Sequence, residues 1–314
     1  MNLKKWLPAA ASLAAVILQL AVVYNGKHPL AVENYYLYFS IILGVAAVMC
    51  AVIGTINKGF GKIWLYKAPF WTGIVTFLII LNLLTEKFCI LPAIYFPSPS
   101  RILEAMITDR ALLLKCLGYS ARLLLTGFLG GAIVGVLTGI AIGFSKTADY
   151  WISPIIRMIG PIPSTAWIPL VLISFPSAVS ASAFLIGLAV WFPTTVMTSS
   201  GIKNISNSLF EVSSTLGAGH WYQIFKVGVP SAMPSMFIGL FNGICSSFIT
   251  LMTAEMIGAK YGIGWYVNWQ KEMMSYSNVY AGLLIIAVLC SCLITLLFKL
   301  RDRVLVWQKG VIKW

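Results

Sequence analysis

Residues 158–202 run for 45 positions without one charged side chain. A soluble domain, about a quarter of whose residues are charged, does not leave such a gap. A helix crossing a bilayer requires one, because the hydrocarbon core takes about 20 mainly apolar residues. Six further uncharged windows cover residues 6–26, 34–57, 68–85, 123–145, 227–254 and 273–298. The long window divides near Phe175-Pro176-Ser177 into two spans. The expectation is an all-α polytopic membrane protein of about eight transmembrane helices, an even count that leaves both termini on one side. With 10% charged and 59% hydrophobic residues and a mean hydropathy of +0.89, a soluble enzyme and a disordered chain are excluded. The net charge of +13 would suit nucleic acid, yet lipid and the positive-inside rule account for it in so apolar a chain. A cytoplasmic N-terminus puts 14 of the 22 basic residues on inside segments and 8 outside. The chain is therefore placed in the cell membrane, multi-pass, with both termini cytoplasmic.

The first window follows Lys4 and Lys5 as a signal peptide would, but Tyr24-Asn25-Gly26 at its end offers no small-x-small cleavage site, so it reads as an uncleaved span. The six cysteines form no disulfide framework. Cys50, Cys245, Cys290 and Cys292 fall inside spans, and Cys89 and Cys116 alone could face an oxidising exterior. No metal, cofactor or catalytic set is expected: His28 and His220 are the only histidines and fall on opposite sides. The nearest match to a phosphate loop, Gly143-Phe144-Ser145-Lys146-Thr147, has serine where glycine must precede the lysine, so the chain is not expected to hydrolyse ATP.

Four stretches carry more than hydropathy. Residues 91–122 read as an outside segment with an amphipathic helix on the surface after the turn-rich Phe96-Pro97-Ser98-Pro99-Ser100. Gly127, Gly131, Gly135, Gly139 and Gly143 repeat at spacing four, a face for close helix packing. Pro161, Pro163 and Pro169, around Trp167, each remove a backbone donor, so that span must kink or break. Broken backbone at membrane depth stands where protein or a water-filled cavity satisfies it, and a kink that only shapes the bundle is the alternative. Asn242, Ser246, Thr250 and Thr253 share one face of the seventh span, with Glu255 at its outer end. They either line a solute path or hydrogen-bond to a neighbouring helix.

The inside loop 201–233 is the longest between spans. Ser208-x-x-Glu211 fits a capping box opening a helix at about Leu209, which stops at Gly217-Ala218-Gly219. A second short helix carries His220, Trp221, Tyr222 and Phe225, and Val229-Pro230 leads into the next span. Such a hairpin either lies on lipid or inserts into a partner.

Glu211, Gly217, Val227, Val229 and Pro230 stand at the spacing E-x5-G-x9-[IV]-x-[LV]-P. This resembles the "EAA" signature of ABC-transporter importer permeases, with Val212 and Ser213 in place of the two alanines. Residues 161–170, Thr253-Ala254-Glu255-Met256-Ile257 and the run from Leu91-Pro92 to Ser100 resemble the nitrate/sulfonate/taurine/bicarbonate branch of that family. The resemblance covers roughly residues 68–314. It implies a type I importer permease core of six spans, preceded over residues 1–67 by two extra spans where the branch usually has one.

The resemblance further implies a mechanism. The hairpin would fit a cleft on a cytoplasmic ABC ATPase subunit, with Glu211, Gly217, Ala218, Gly219, His220, Trp221 and Pro230 as the coupling set. A second permease copy would complete the path, and an extracytoplasmic substrate-binding protein would deliver a small solute such as a sulfonate, nitrate, bicarbonate or a pyrimidine-like precursor. Pro163, Trp167, Pro169, Asn242, Ser246, Thr250, Thr253 and Glu255 are the candidate path residues. Two rivals remain at this point. An ion-coupled secondary transporter is disfavoured by span centres free of charge, and a membrane-embedded enzyme by the scarcity of polar groups.

Overall fold

The computed structural model describes residues 3–22, 35–92 and 94–307. Residues 23–26 at the end of the first expected span, His28, and the C-terminal Lys309 and Lys313 lie outside them. Helices and turns make up the described residues, with no strand among them. Among the described residues, six helical runs are long and apolar enough to cross a membrane: Tyr35–Ile56, Gly59–Lys87, Arg110–Phe144, Ala178–Lys203, His220–Gly258 and Tyr276–Val304. A seventh span is a bent pair, Lys146–Ile159 with Ser164–Ser174, whose halves meet at 86°. Leu7–Ala21 is apolar but shorter. The described residues thus supply six full runs and one broken one, seven spans rather than the expected eight, because the described helix of the first apolar window covers only the 15 residues Leu7–Ala21.

The chain divides into two compact units. The first comprises Met1–Leu112 and Trp269–Ala281. It contains α1 (Leu7–Ala21), α2 (Tyr35–Ile56), α3 (Lys58–Asn82) and α4 (Pro99–Thr108). Asn57 caps α3 by accepting from the Gly59 and Phe60 amides at 3.0 and 3.3 Å. A π turn, Leu83–Lys87, extends α3 and buries Glu86 and Lys87. Buried charge must be hydrogen-bonded. Lys87 Nζ donates to the carbonyls of Gln19 and Val22 at 2.7 and 2.9 Å. The Glu86 carboxylate accepts from Gln19 Nε2 at 3.3 Å and from Ser100 Oγ at 2.9 Å. A polar knot thus ties α1 to the end of α3 and the start of α4.

The second unit comprises Leu113–Asn268 and Gly282–Trp314. α5 (Arg110–Phe144) begins 13 residues before its apolar window, so residues 110–122 continue a long helix rather than lying in a surface segment. α6 (Lys146–Ile159), a 3-10 turn (Ser164–Trp167) and α7 (Ile168–Ser174) follow. The break falls at the proline cluster. α8 (Ala178–Lys203) starts after Phe175-Pro176-Ser177, where Ser177 caps it. α9 (Asn207–Thr215) and α10 (His220–Tyr222) form the hairpin, and a π turn (Gln223–Gly228) joins α10 to α11 (Val229–Gly258). α12 (Ile263–Glu272) and α13 (Tyr276–Val304) complete the α-helices of the described residues.

Small residues seat α8 between α5 and α11. A Cβ added at Gly127, Gly135, Gly139 or Gly143 would come within 2.5–2.8 Å of the Cβ of Ile186, Thr194, Thr198 or Ile202. One at Gly131 would come within 2.8 Å of Gly187 Cα. On the other side, Cβ atoms at Gly201 and Gly239 would lie 2.6 and 2.9 Å from the Cβ of Ser235 and Met197. Backbones that approach this closely gain dispersion contact along their whole length, which drives helix association where the surrounding lipid is as apolar as the helices. Leu123, Leu124, Ile186, Ile244, Phe248 and Leu251 fill the remaining core.

Candidate functional site

The broken span opens a cavity in the second unit. Pro161 and Pro163 withhold amides, and the backbone leaves α6 at Gly160. A side chain at Gly160 would run into the ring of Phe192 on α8, so glycine is what allows the break to lie against that helix. The cavity, about 360 Å³, lies between the break, α8 and α11. Its walls include Ile162, Pro163, Leu188, Trp191, Phe192 and Ile249, with the hydroxyl-bearing Ser164, Thr165, Ser246 and Thr250. No ionisable residue lines it. Ser164 Oγ and Thr250 Oγ1 are 2.6 Å apart, so the break is pinned to α11 by one hydroxyl pair. Apolar walls with a few convergent polar groups suit a small solute that is oriented without being trapped by charge.

Of the expected path residues, Pro163, Ser246 and Thr250 line this cavity. Trp167 packs instead against Ile168, Val171, Ala181 and Leu185, and Pro169 sits exposed in the first turn of α7. Asn242 is exposed. Thr253 returns its hydroxyl to the Ile249 carbonyl at 3.0 Å. Glu255 is 1% exposed and is held by its own set of bonds near the end of α11. Sequence reasoning did not single out Ser164, Thr165, Trp191 or Phe192. The signal for the first two was their position directly after Pro163. Trp191 and Phe192 stand in an apolar window that gives no such mark.

The hairpin lies at the end of the unit where Asp149 and Lys203 pair at 2.8 Å. α9 starts at Asn207, with Ser206 at the N-cap position and Ser206 Oγ 2.7 Å from Ser208 Oγ. The expected Ser208–Glu211 capping box does not form, because Ser208 is already inside the first turn and Glu211 lies too far along to reach back. Glu211 is an exposed carboxylate with no hydrogen-bond or ion-pair partner among the described residues. The helix closes in a Schellman motif: Ala218 N–H donates to Ser213 O at 3.0 Å and Gly217 N–H to Ser214 O at 2.9 Å. Gly217 has φ +81°, which glycine adopts without strain.

Gln223 Nε2 then donates to Ser214 Oγ at 2.7 Å and Ser213 Oγ at 3.1 Å, bracing the two arms. Leu216 and Trp221 are 82% and 71% exposed, and Trp221 stacks on Phe225 at 6.0 Å. Ala218 and Gly219 form the turn, His220 opens α10, and Pro230 stands at the start of α11. The missing proline amide and its ring displace the usual helical bond, and the π turn just before it absorbs the mismatch. The result is one helical run, His220–Gly258, of 39 residues. It has the hairpin at one end and Ser246 and Thr250 of the cavity along its course.

A multi-pass helical unit with a broken span, a cavity beside it and an exposed hairpin at one end of the cavity-lining helix defines a membrane transport component. The chain belongs to the family described as binding-protein-dependent transport system inner membrane component, whose sequence pattern matches residues 131–306. It is 30% identical over 184 residues to a Bacillus subtilis (strain 168) protein named as an aliphatic sulfonates transport permease protein, SsuC, covering 59% of this chain and 67% of that one. The taurine transport system permease protein TauC of Escherichia coli (strain K12) is 28% identical over 225 residues, covering 69% and 82%. The nitrate import permease protein NrtB of Synechocystis sp. (strain ATCC 27184 / PCC 6803 / Kazusa) is 27% identical over 228 residues, covering 69% and 80%. In fold, the chain is similar to the inward-facing MetNI methionine ABC transporter, with TM-score 0.53 and 16% identity over 63% of this chain and 98% of that one.

Proposed function

We propose that this chain is the permease subunit of an ATP-driven importer, with the hairpin as the contact for a separate cytoplasmic ABC ATPase and the cavity beside the broken span as part of the solute path. The observation that carries this reading is the hairpin itself. Leu216, Trp221 and Phe225 are exposed on the same hairpin that carries the exposed Glu211 carboxylate, which has no partner among the described residues. This turn is braced by its own hydrogen bonds and joined without a break to the helix that lines the cavity. Exposed aromatic and aliphatic side chains on a rigid turn are what a protein cleft recognises.

On this reading the hairpin, Lys203 and both termini are cytoplasmic, in keeping with the excess of basic residues on those segments. Glu211, Gly217, Ala218, Gly219, His220, Trp221 and Pro230 form the coupling set. Pro163, Ser246 and Thr250 face the solute. Trp167, Pro169, Asn242, Thr253 and Glu255 act around the path rather than in it, and Gly127, Gly131, Gly135, Gly139 and Gly143 hold α5 against α8. A second permease copy completes the path, and an extracytoplasmic binding protein delivers the solute. The relatives' names point to small sulfonates, taurine or nitrate, with bicarbonate or a pyrimidine-like precursor as the further candidates of the resemblance. The N-terminal spans, residues 1–67, precede the six-span core of residues 68–314.

The test is capture of the ATPase on immobilised permease in detergent. Glu211→Ala and Gly217→Val reduce recovery of the ATPase about tenfold or more, the effect of losing one to two kcal/mol or more of interface free energy, while the permease itself accumulates normally. Unchanged capture by both variants contradicts the assignment, and loss of the permease in step with the ATPase makes these residues structural.

A further inference from the structure

Glu255 is the one described carboxylate in the second unit that is buried, and the cavity does not use it. Its Oε1 accepts from Ser120 Oγ on α5 at 2.7 Å, and its Oε2 accepts from the Gly264 amide at the start of α12 at 2.8 Å. The same Ser120 oxygen accepts the Ile263 amide at 2.8 Å. Three helices therefore meet on one carboxylate and one hydroxyl. The chain between α11 and α12 is shaped to fit. Gly262 has φ +144°, and a Cβ there would come within 2.6 Å of Glu255 Oε1. No cation pairs with Glu255 among the described residues, so hydrogen bonds alone hold the clamp.

We propose that this clamp is a latch, opened and re-formed during transport, through which movement of the hairpin is delivered to α5 and α12 at the opposite end of α11. The inference rests on the coupling role of the hairpin. The His220–Gly258 run has the hairpin at one end and Glu255 three residues from the other. A continuous helix passes axial or rotational displacement along its length, and packed interfaces respond to such displacement by switching between discrete arrangements rather than by bending. A contact of hydrogen bonds at the far end can part and re-form, whereas the interlocked glycine faces of α5 and α8 cannot separate without opening a void. Glu255 is thus a positioning residue: it touches no solute and acts through α5 and α12.

Paired spin labels read the latch without knowledge of the solute. Gly118→Cys and Lys260→Cys place labels at exposed positions on α5 and on the α11–α12 connection, in a chain whose native cysteines are replaced by alanine. The transporter is assembled with its own ATPase in lipid vesicles, and a label at Leu216→Cys reports the hairpin. ATP with vanadate is expected to lengthen the 118–260 distance by about 2–5 Å, the scale of helix shifts in switching proteins. Glu255→Ala gives the long distance without nucleotide. Glu255→Gln, whose amide still accepts from Gly264 and donates to Ser120, keeps the short one. A fixed 118–260 distance while the Leu216 label is immobilised by the ATPase overturns the latch and leaves the coupling reading standing. A Leu216 label indifferent to the ATPase overturns the coupling reading, and the latch falls with it.

Discussion

Thr250 and Asn242 look alike in the sequence, two polar residues on one face of an apolar helix, and the structure separates them. Thr250 is buried against Ser164 at the break, while Asn242 is exposed and off the cavity wall. A leucine at Thr250 or Ser246 would fill the cavity. Thr250→Leu and Ser246→Leu are therefore expected to lower solute uptake by cells about tenfold or more at normal permease levels, with Asn242→Leu within twofold of the parent chain. Equal effects at all three positions would return the stripe to general helix packing. Glu211 carries a similar lesson. Its spacing from Ser208 suited a capping box, but the helix begins two residues too early for that, so the carboxylate stays exposed without a partner among the described residues. Spacing alone could not decide this, because a start at Asn207 and a start at Leu209 are both compatible with the same serines.

At the scale of elements, most of the spans were legible because charge is excluded from them. Both punctuation points of the long window, the proline cluster and Phe175-Pro176-Ser177, fall at helix boundaries. Less was legible where residues distant in sequence meet. Ser120 and Glu255 are 135 positions apart, and Gln19 and Glu86 are 67 apart. Gln19 stands in an otherwise apolar window and marks nothing until the Glu86 carboxylate is placed against it. The start of α5 at Arg110 was hidden for the opposite reason: its basic first turns interrupt the hydropathy signal, though not the helix. The glycine face was legible, and its partner was not. Gly139→Val is expected to destabilise the helix packing by about 1–3 kcal/mol, the usual cost of overpacking, because its Cβ would come within 2.5 Å of Thr198 Cβ. A thermal-unfolding series in detergent checks this, and Gly130→Val, a position open to space, serves as the neutral comparison.

For the whole molecule, the distribution of charge and the placement of hydrogen bonds lead to one account. No charged side chain lines the cavity, so an ion gradient has no evident carboxylate there to act on. The hairpin, by contrast, presents an unpaired carboxylate and exposed aromatic rings at one end of the helix that passes the cavity. On the proposed reading, energy is supplied by a partner at the hairpin and reaches the opposite end through α11. The measurement that tests this most directly is ATP hydrolysis by the complete transporter in proteoliposomes, with the substrate-binding protein, purified with its own solute, added on the face away from the ATPase. The account predicts that the binding protein stimulates hydrolysis severalfold across the bilayer, and that Glu211→Ala abolishes this stimulation while the binding protein still docks. Hydrolysis indifferent to the binding protein in a fully assembled complex, or stimulation that survives Glu211→Ala unchanged, would contradict it.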